Sequence, residues 1–386
     1  MSLSNRAPAS FIDPTDPIRM DIDIAALKSN YRAVRDIVGP DIRIMASVKG
    51  NGYGAGAAPV AAALRDLGVH AVATGAIGDA MAIRNAGNDV LIHMFAGILP
   101  EALGVLHANN LTPTIYNRQL ADAADEVASA RRWKVFVKVD AGTGRLGVPI
   151  DEAERFILDV AKKPNLEIEA VFTHLPFAGD APLPWINEHL QKFDELTDRV
   201  RRQGMEIPIR QSLASIHVIK KLETTTNAVC VGHLLFGGLG RFEPGDEAIA
   251  ARFKPVHKSI RTRLIDARRY ASDVTAGTSG KLSLKQGSML GTVPIGLHEG
   301  YRPAAPGQQA RMLIDGIRVP VISVSQEYTV LNLTDHPRAA VGDEVVALGE
   351  SGEDRISIEE MAKWQGNSPL HVAMAMDRGF PKHYIY

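Results

Sequence analysis

Eight short runs rich in β-branched residues alternate with longer stretches of helical periodicity between about Asp23 and Gly240. Within the longer stretches apolar residues share one helical face, as Val60, Leu64 and Leu67 do. Eight such units favour a parallel (β/α)8 barrel, because a doubly wound sheet normally uses fewer. The predicted strands are Ile42–Lys49, His70–Ala76, Val90–Phe95, Pro113–Asn117, Lys134–Asp140, Leu166–His174, Ile207–Ala214 and Ala228–Phe236.

The pattern changes after about Glu243. Alternating apolar and polar runs at 259–270, 287–296, 310–333 and 342–350 are joined by Gly, Pro and Asp, which is typical of antiparallel β structure without crossover helices. We therefore predict an α/β fold in which a barrel at residues 23–245 precedes a β-rich C-terminal domain at residues 246–386. Residues 1–22 are expected to form an N-terminal segment that packs with the β domain.

Composition narrows the range of partners. Lys plus Arg number 43 against 44 Asp plus Glu, so the net charge of -1 gives no overall reason to expect a nucleic-acid or anionic-membrane partner. Cys230 is the single cysteine, which excludes an intrachain disulfide and a cysteine-built metal site. No apolar run reaches the roughly 18 to 20 residues of a membrane helix, and the N-terminus lacks a signal peptide's apolar stretch. We expect a cytoplasmic protein without a metal.

Lys49 ends the first predicted strand and precedes the glycine-rich run from Gly50 to Gly56. Side chains at the C-terminal ends of barrel strands point into the barrel mouth, where partial desolvation lowers the pKa of an amine and makes it a better nucleophile. In a P-loop the lysine follows the glycines, so nucleotide binding of that type is not expected. The alternative is a surface lysine that leads into a flexible loop.

Four further strand ends carry groups that would meet on the same rim. Arg145 follows the fifth strand and would bind a substrate carboxylate or a ring oxygen, unless it pairs with a surface acid. His174 ends the sixth strand, where a packed or capping histidine is the alternative. Ser215 follows the seventh strand, and Gly232 with His233 follows the eighth, where barrels commonly bind phosphate through backbone N–H groups. Together these positions predict an active site.

A lysine opposite a phosphate cradle has a specific chemical interpretation. Lys49 would form a Schiff base with pyridoxal 5'-phosphate (PLP), whose ring takes up the electrons released when a bond to an amino-acid α-carbon breaks. Schiff-base aldolases built on barrels are the competing interpretation.

The segment from Ser47 to Gly56 resembles the cofactor-lysine motif of the alanine racemases, the fold type III PLP enzymes. The segment from Lys138 to Gly147, which contains Arg145, is similar to that family's arginine motif. The remaining similar segments follow in the family's order and extend over nearly the whole chain. They are Thr173-His174, Ala214-Ser215, Val231-Gly232, Val293 to Gly296 and Phe380 to Tyr384.

The resemblance implies a barrel with a β domain, covalent PLP, a small amino-acid substrate and a head-to-tail homodimer whose partner β domain completes each active site. It implies Lys49 as the Schiff-base lysine and the base for one face of the α-carbon. Arg145 would lie near the cofactor ring oxygen and the substrate carboxylate, supported by Lys138, which is often carbamylated in the family. His174 would lie beside the pyridine ring. The implied phosphate ligands are Tyr53, Ser215, Gly232 and the His233 backbone.

Two segments depart from the family pattern. Family members place an arginine against the pyridine nitrogen in an arginine-proline-glycine segment, and this chain has Cys230, Val231 and Gly232 there. A thiol cannot supply a bidentate cationic donor, so we expect Cys230 to face the ring with altered electronic tuning. The family's Met-Asp pair near the substrate entrance is replaced by Gln326-Glu327.

The second departure affects the reaction itself. The family's second base is a tyrosine supplied by the partner chain, and Leu297 occupies that position here. A leucine cannot move a proton, and loss of one general base typically slows a reaction by ~10²–10⁴. His298 and Tyr301 are the neighbouring candidates, and we favour His298 because neutral imidazole is a competent base near pH 7. Against this, adjacent residues in a strand face opposite sides, which would turn His298 away.

The leading prediction is a PLP-dependent amino-acid racemase that resembles alanine racemase. Its substrate is alanine or a different amino acid. A PLP-dependent aldolase or decarboxylase of the same fold is the second hypothesis, because without a second base the same chemistry could break a different bond at the α-carbon. A PLP-binding protein without turnover is the third.

Overall fold

The computed structural model describes residues 17–176, 183–276, 282–377 and 379–386. Most of the predicted N-terminal segment 1–22 therefore lies outside the described residues. The described strands, in chain order, are β1 Arg19–Asp23, β2 Arg43–Ser47, β3 Ala71–Thr74, β4 Leu91–Met94, β5 Leu111–Ile115, β6 Trp133–Asp140, β7 Val148–Pro149, β8 Leu166–Phe172, β9 Ile209–Ala214, β10 Ala228–Val231, β11 His257–Arg263, β12 Asp266–Arg269, β13 Val274–Ala276, β14 Leu282–Leu284, β15 Met289–Val293, β16 Arg311–Ile314, β17 Ile317–Val324, β18 Thr329–Asn332, β19 Glu344–Ser351, β20 Asp354–Ile356 and β21 Lys382–Ile385.

Amphipathic helices separate the first ten strands. The helix Ile24–Val38 buries Leu27, Tyr31 and Val34, which recur at the spacing of one helical face. The other α-helices are Ala57–Arg65, Ile77–Asn85, Leu103–Ala108, Arg118–Val127, Ile150–Ala161, Leu183–Arg202, Ser215–Ile219, Glu247–Ala250, Ile358–Trp364 and Pro369–Ala375. Short 3₁₀ turns cover Pro100–Ala102, Ala128–Ala130 and His233–Phe236.

Eight parallel strands form a closed barrel. The hydrogen-bonded order runs β5-β4-β3-β2-β10-β9-β8-β6, and a further pairing of β5 with β6 closes the ring. Each predicted strand overlaps one of these eight. The predicted (β/α)8 barrel is therefore confirmed.

The eighth predicted strand is too long. Only Ala228–Val231 is extended, and the second half of the prediction, His233–Phe236, is a 3₁₀ turn. Gly232 leaves the β region with φ -125 and ψ -89, and the Leu235 N–H donates to its carbonyl at 2.8 Å. The apolar run that suggested a strand is buried in this turn instead.

The barrel interior is filled by side chains that point inward from alternating strand positions. They include two aromatic rings, Phe136 on β6 and Phe172 on β8, which lie 6.2 Å apart in an edge-to-face arrangement. The buried cluster comprises Met45, Ala71, Phe136, Ala170, Phe172, Ile209 and Ala228, with Leu91 and Cys230 packed against it.

The C-terminal strands form one large sheet with the order β12-β15-β18-β17-β16-β19-β11-β1-β21, and β20 pairs with β19. Its pairings are antiparallel except that β1 and β21 run parallel. The antiparallel β character predicted for this part of the chain is confirmed. Its core contains Ala310, Leu313, Val346, Ile356 and Trp364.

Contacts divide the chain into two compact units whose limits differ slightly from the predicted domains. The barrel unit comprises Leu27–Gly52 and Ala57–Lys254, and the β unit comprises residues up to Ala26, Tyr53–Gly56 and Pro255–Tyr386. The predicted boundary at 245/246 thus lies nine residues before the contact boundary at 254/255. Within the four described ranges, no helix is long and apolar enough to cross a membrane.

Candidate active site

The backbone turns left-handed immediately after Lys49. Every residue from Gly50 to Tyr53 has a φ between 50 and 67 degrees. This conformation costs an ordinary L-residue roughly 1–2 kcal/mol, and glycine adopts it freely. The Gly52 N–H donates to the Val48 carbonyl at 2.8 Å and closes the turn. The glycine-rich run thus forms one defined turn after β2, and not the flexible loop of the alternative interpretation.

Asn51 fixes this turn to its surroundings. Its Oδ1 accepts the Ala57 N–H at 2.7 Å, and its own N–H donates to Asp79 Oδ2 at 3.0 Å. The Thr74 hydroxyl at the end of β3 donates to the same Asp79 oxygen at 3.1 Å. Because three groups converge on these two side chains, the backbone that carries Lys49 is held in place.

The loop that carries Arg145 is organised around the Asp140 carboxylate. Asp140 Oδ1 accepts backbone N–H groups from three successive residues, 142 to 144, at 2.8 to 3.1 Å. Burial alone would raise the pKa of Asp140, but these N–H groups outweigh it and the net pKa is lowered. Gly147 has φ 136, and a Cβ there would lie 2.5 Å from the Asp140 nitrogen. Glycine is therefore required at the end of the loop.

The same loop is tied to the strand end that carries His174. The Thr143 hydroxyl donates to the His174 carbonyl at 2.6 Å. Gly142 packs so closely on the helix Leu183–Arg202 that a Cβ would lie 2.5 Å from His189 Cδ2. His189 in turn stacks on Trp185, with ring centroids 3.9 Å apart. Arg145 therefore extends from a loop that is supported on two sides.

A hydroxyl and a backbone N–H meet where the seventh and eighth strands end. The buried Ser215 Oγ accepts the Gly232 N–H at 2.8 Å. His217 Nδ1 accepts the Ala214 N–H at 2.9 Å and holds the short helix that begins at Ser215. The 3₁₀ turn that follows Gly232 presents its first N–H groups at the same point, because such groups have no acceptor within the turn.

Positive charge accumulates around Lys49. Its amine is open to solvent at the barrel mouth but surrounded by the rim, and this partial burial lowers its pKa. Cys230 opposes this effect, and Arg145 and Arg241 each lower the pKa by a smaller amount. A lowered pKa leaves more of the amine neutral and nucleophilic near pH 7.

Lys138 is the most perturbed lysine of the rim. Burial lowers its pKa to about 8, and Arg145 adds to the effect while Asp140 and Cys230 oppose it. Its Nζ lies 4.6 Å from the centroid of the Phe172 ring. At neutral pH a measurable fraction of this amine is uncharged.

The two histidines and the cysteine of the rim are neutral at pH 7. Burial, with help from Lys138 and Arg145, lowers the pKa of His174 to about 3. Burial lowers the pKa of His233 to about 3 as well, and it raises the pKa of the Cys230 thiol to about 11. The site therefore contains cations, neutral imidazoles and a neutral thiol.

These mutual charge effects place the predicted residues of the barrel unit in one cluster. Tyr53 is also buried, but its contacts assign it to the β unit. The predicted residues that the barrel unit brings to its rim are Lys49, Arg145, His174, Ser215, Cys230, Gly232 and His233.

His298 and Leu297 lie in a turn of the β unit. The alternation of side chains along a strand therefore does not decide which way they point. Both side chains are exposed. The turn is stabilised by Glu299, whose carboxylate accepts the Gly296 N–H at 2.8 Å. Tyr301 is 1% exposed, and burial raises its pKa strongly, so it cannot serve as a base in this unit.

Sequence reasoning missed three contributors. Arg241 adds a cation beside Lys49 from beyond the eighth strand. Asp79 holds the turn after Lys49. His93 is buried inside the barrel, and its position as the one polar residue in the apolar run from Val90 to Phe95 was the available signal. Among the described residues no group of His, Cys, Asp or Glu is arranged to hold a metal ion.

Comparison with family models decides the family. Residues 22–240 match the alanine racemase N-terminal domain, and residues 258–384 match the alanine racemase C-terminal domain. The chain belongs to the alanine racemase family. The alanine racemase of Halothermothrix orenii is 29% identical over 96% of this chain and 97% of its own length, and that of Methanococcus maripaludis is 26% identical over 96% and 99%.

Solved alanine racemase structures share the fold. The enzyme from Clostridium difficile 630 superposes with a TM-score of 0.87 at 22% identity, over 98% of this chain and 97% of that one. The Bacillus anthracis alanine racemase with bound L-Ala-P gives 0.85 at 22% identity, over 98% and 96%. Both alignments include residues of the barrel and residues of the β unit.

Proposed function

We propose that this member of the alanine racemase family is a PLP-dependent amino-acid racemase that acts on alanine or a similar small amino acid. The observation that carries the proposal is a partly buried amine with a lowered pKa, Lys49, on the same barrel rim as the Ser215–Gly232 cradle and the Arg145 loop. The full-length similarity to alanine racemases supports the same activity.

The donor set fits PLP. The cations that act on Lys49 are Arg145 and Arg241, and the Asp140 carboxylate of the Arg145 loop already accepts backbone N–H groups. Such a concentration of cations suits a phosphate and a substrate carboxylate. Lys49 would hold the aldehyde carbon covalently, and the phosphate would lie at Tyr53, Ser215, Gly232 and the His233 backbone.

PLP would supply an electron sink that makes the α-proton of a bound amino acid acidic. The side chains of the protein bind the substrate and transfer its proton. Lys49, with its lowered pKa, accepts or returns the proton on one face of the α-carbon. Arg145 binds the substrate carboxylate and orients the α-carbon toward Lys49. His174, neutral at pH 7, supports the ring without adding charge.

The ring nitrogen would face a neutral group. We infer that Cys230 contacts the pyridine ring, because it extends from β10 into the same cluster as Lys49 and Lys138. Its thiol pKa of about 11 means that it presents a weak, uncharged S–H donor at neutral pH. This arrangement leaves the ring less electron-withdrawing than a cationic neighbour would.

We propose that His298 serves the opposite face of the α-carbon and that it reaches the site from the partner subunit of a homodimer. Its exposure in a turn leaves its ring available to a second chain. Leu297, which is also exposed, provides no proton-transferring group. A histidine in this role delivers or removes a proton near pH 7.

Hydrogen exchange at the α-carbon tests the proposal. L-alanine and D-alanine are incubated separately with PLP-saturated protein in heavy water, and both isotope incorporation and inversion are followed. We expect exchange from either enantiomer, lost in Lys49→Ala and retained in Lys162→Ala, a control at an exposed lysine. Release of glycine and an aldehyde from β-hydroxy amino acids, without α-exchange, would instead favour the aldolase. Absence of exchange together with no spectral response to any amino acid would favour a binding protein.

A further inference from the structure

His93 lies inside the barrel in a contact pattern that fixes its tautomer. It is 2% exposed, and its Nε2 lies 2.9 Å from the Thr114 hydroxyl oxygen. That hydroxyl donates its proton to the Met94 carbonyl at 2.7 Å. The Thr114 oxygen can therefore only accept from His93, so Nε2 carries the hydrogen and Nδ1 is a bare acceptor.

The bare Nδ1 has no hydrogen-bond partner among the described residues, although it is buried. Burial, followed by the charge of Lys138, holds the pKa of His93 well below its usual value, so the ring stays neutral. A buried acceptor without a donor is uncommon in folded proteins and usually indicates an enclosed water or a partner that moves.

The Lys138 amine, in turn, has no hydrogen-bond acceptor among the described residues. Its side chain is 6% exposed, and within the described parts of the chain its Nζ forms no hydrogen bond or ion pair, only the contact with the face of Phe172. An ammonium group has three donors and needs acceptors when it is buried. The buried His93 Nδ1 therefore lacks a donor, and the Lys138 amine lacks an acceptor among the described residues.

Two aromatic rings place these groups side by side. The His93 ring stacks on Phe136 at 4.0 Å and meets Phe172 edge-on at 4.8 Å. Lys138 follows Phe136 by two positions on β6, so both side chains point to the same face of the strand. Phe172 is thus in contact with both His93 and Lys138.

We propose that His93 is a positioning residue for Lys138, and that its Nδ1 accepts a hydrogen bond from the Lys138 amine, directly or through one enclosed water. The bond would hold the amine beneath Arg145 and keep it from rotating toward the barrel mouth. The inference deepens the proposed function by assigning a support beneath the carboxylate-binding arginine.

The pKa of Lys138 depends on several ionisable groups besides His93. An acceptor on the ammonium form raises the pKa of the lysine, whereas burial and neighbouring cations lower it. Removing the acceptor should therefore lower the pKa of Lys138 toward about 8, the value that burial, Arg145, Asp140 and Cys230 set without it. The other groups that act on it, from its own loop, β8 and β10, are Arg145, Asp140, His174 and Cys230.

The test is the pH dependence of Lys138 acylation, read by peptide mass spectrometry on the full-length, PLP-saturated protein with the exposed Lys162 as internal reference. We expect a midpoint above 8 in the unmodified chain, because burial and the neighbouring charges alone give about 8. In His93→Leu it should fall by about one pH unit, a tenfold change in the ratio of neutral to charged amine. His93→Gln, which keeps an acceptor, should remain near the original midpoint, as should Thr112→Val, a control at another buried polar position.

An unchanged midpoint in His93→Leu, or equal shifts in His93→Leu and His93→Gln, would overturn the proposal. A second measurement does not depend on a His93 variant that folds. The ¹⁵N resonance of His93 Nδ1 should report an accepted hydrogen bond and move in Lys138→Met, and an identical Nδ1 resonance in the two proteins would also overturn it. Neither readout requires turnover, so failure here leaves the α-hydrogen exchange test of the racemase unaffected.

Discussion

Ser215 Oγ accepts a hydrogen bond from the Gly232 N–H at 2.8 Å, which joins the ends of two neighbouring barrel strands. The bond leaves the Ser215 hydroxyl proton available to a ligand, because an oxygen that accepts one bond can still donate its own proton. A phosphate placed here would meet that proton and the N–H groups of the turn that follows Gly232.

Ser215→Ala should weaken PLP binding. A hydrogen bond to a charged group contributes about 1.5–3 kcal/mol, so we expect a loss in affinity of tenfold or more, measured by PLP titration with fluorescence or absorbance. Ser212→Ala is the matched control, because Ser212 lies on β9, just before Ser215, and its buried hydroxyl oxygen lies 3.4 Å from that of Thr226. Equal PLP affinities for the two variants would remove Ser215 from the phosphate site.

The thiol of Cys230 should react slowly in the native protein. Burial raises its pKa from 9.0 to about 11, so the thiolate fraction at pH 8 falls about a hundredfold relative to an ordinary cysteine. Alkylation by iodoacetamide, compared between native and guanidinium-unfolded protein, measures this directly, because Cys230 is the single cysteine. Similar rates in the two states would show that the thiol is exposed or activated.

Acid should destabilise the protein in part through His217. This fully buried imidazole has a pKa of about 4, lowered by burial, so it stays neutral in the folded state while the unfolded chain takes up a proton below about 6.5. Stability is therefore complete above pH 6.5 and is lost as the pH falls toward 4, with a slope of about 1.4 kcal/mol per pH unit. Urea unfolding of His217→Gln between pH 7 and 5 should lose this slope, whereas the exposed His371→Gln should keep it.

Mixing two inactive variants tests whether the active site is shared between subunits. If Lys49 and His298 of different chains form each site, then Lys49→Ala and His298→Ala chains should complement each other after subunit exchange. Half of the dimers would be mixed, and each would have one intact site, so about a quarter of the original activity should return. No recovery above the two variants measured alone would contradict the proposed position of His298.

The pattern of apolar residues predicted the barrel, because the alternation of β-branched runs with stretches of helical periodicity can be read from the local sequence. The runs around Ile44, Val72 and Val137 are β-branched and bounded by polar residues, and each became a barrel strand. At Phe236 the same signal failed, because an apolar run is equally compatible with a buried 3₁₀ turn once Gly232 breaks the strand. The helices Ile358–Trp364 and Pro369–Ala375 were missed for a related reason, since seven-residue helices leave little periodicity to detect.

The residues of the barrel rim could be predicted from the sequence, whereas the hydrogen bonds that connect them could not. Lys49 and Arg145 each follow a predicted barrel strand, so their neighbourhood could be inferred from strand order. The hydrogen bond from Thr143 to the His174 carbonyl spans 31 residues, and no sequence pattern records it. The fixed tautomer of His93 likewise depends on where the Thr114 proton points in the folded barrel.

Reductive trapping tests the central claim most directly. The protein is incubated with PLP, treated with borohydride and digested, and the lysine that carries the pyridoxyl group is identified by mass spectrometry. We predict that a visible absorption band disappears on reduction, that the label lies on Lys49, and that Lys49→Ala carries neither band nor label. A pyridoxyl group on a different lysine, or a protein that stays colourless with PLP in excess, would contradict the account.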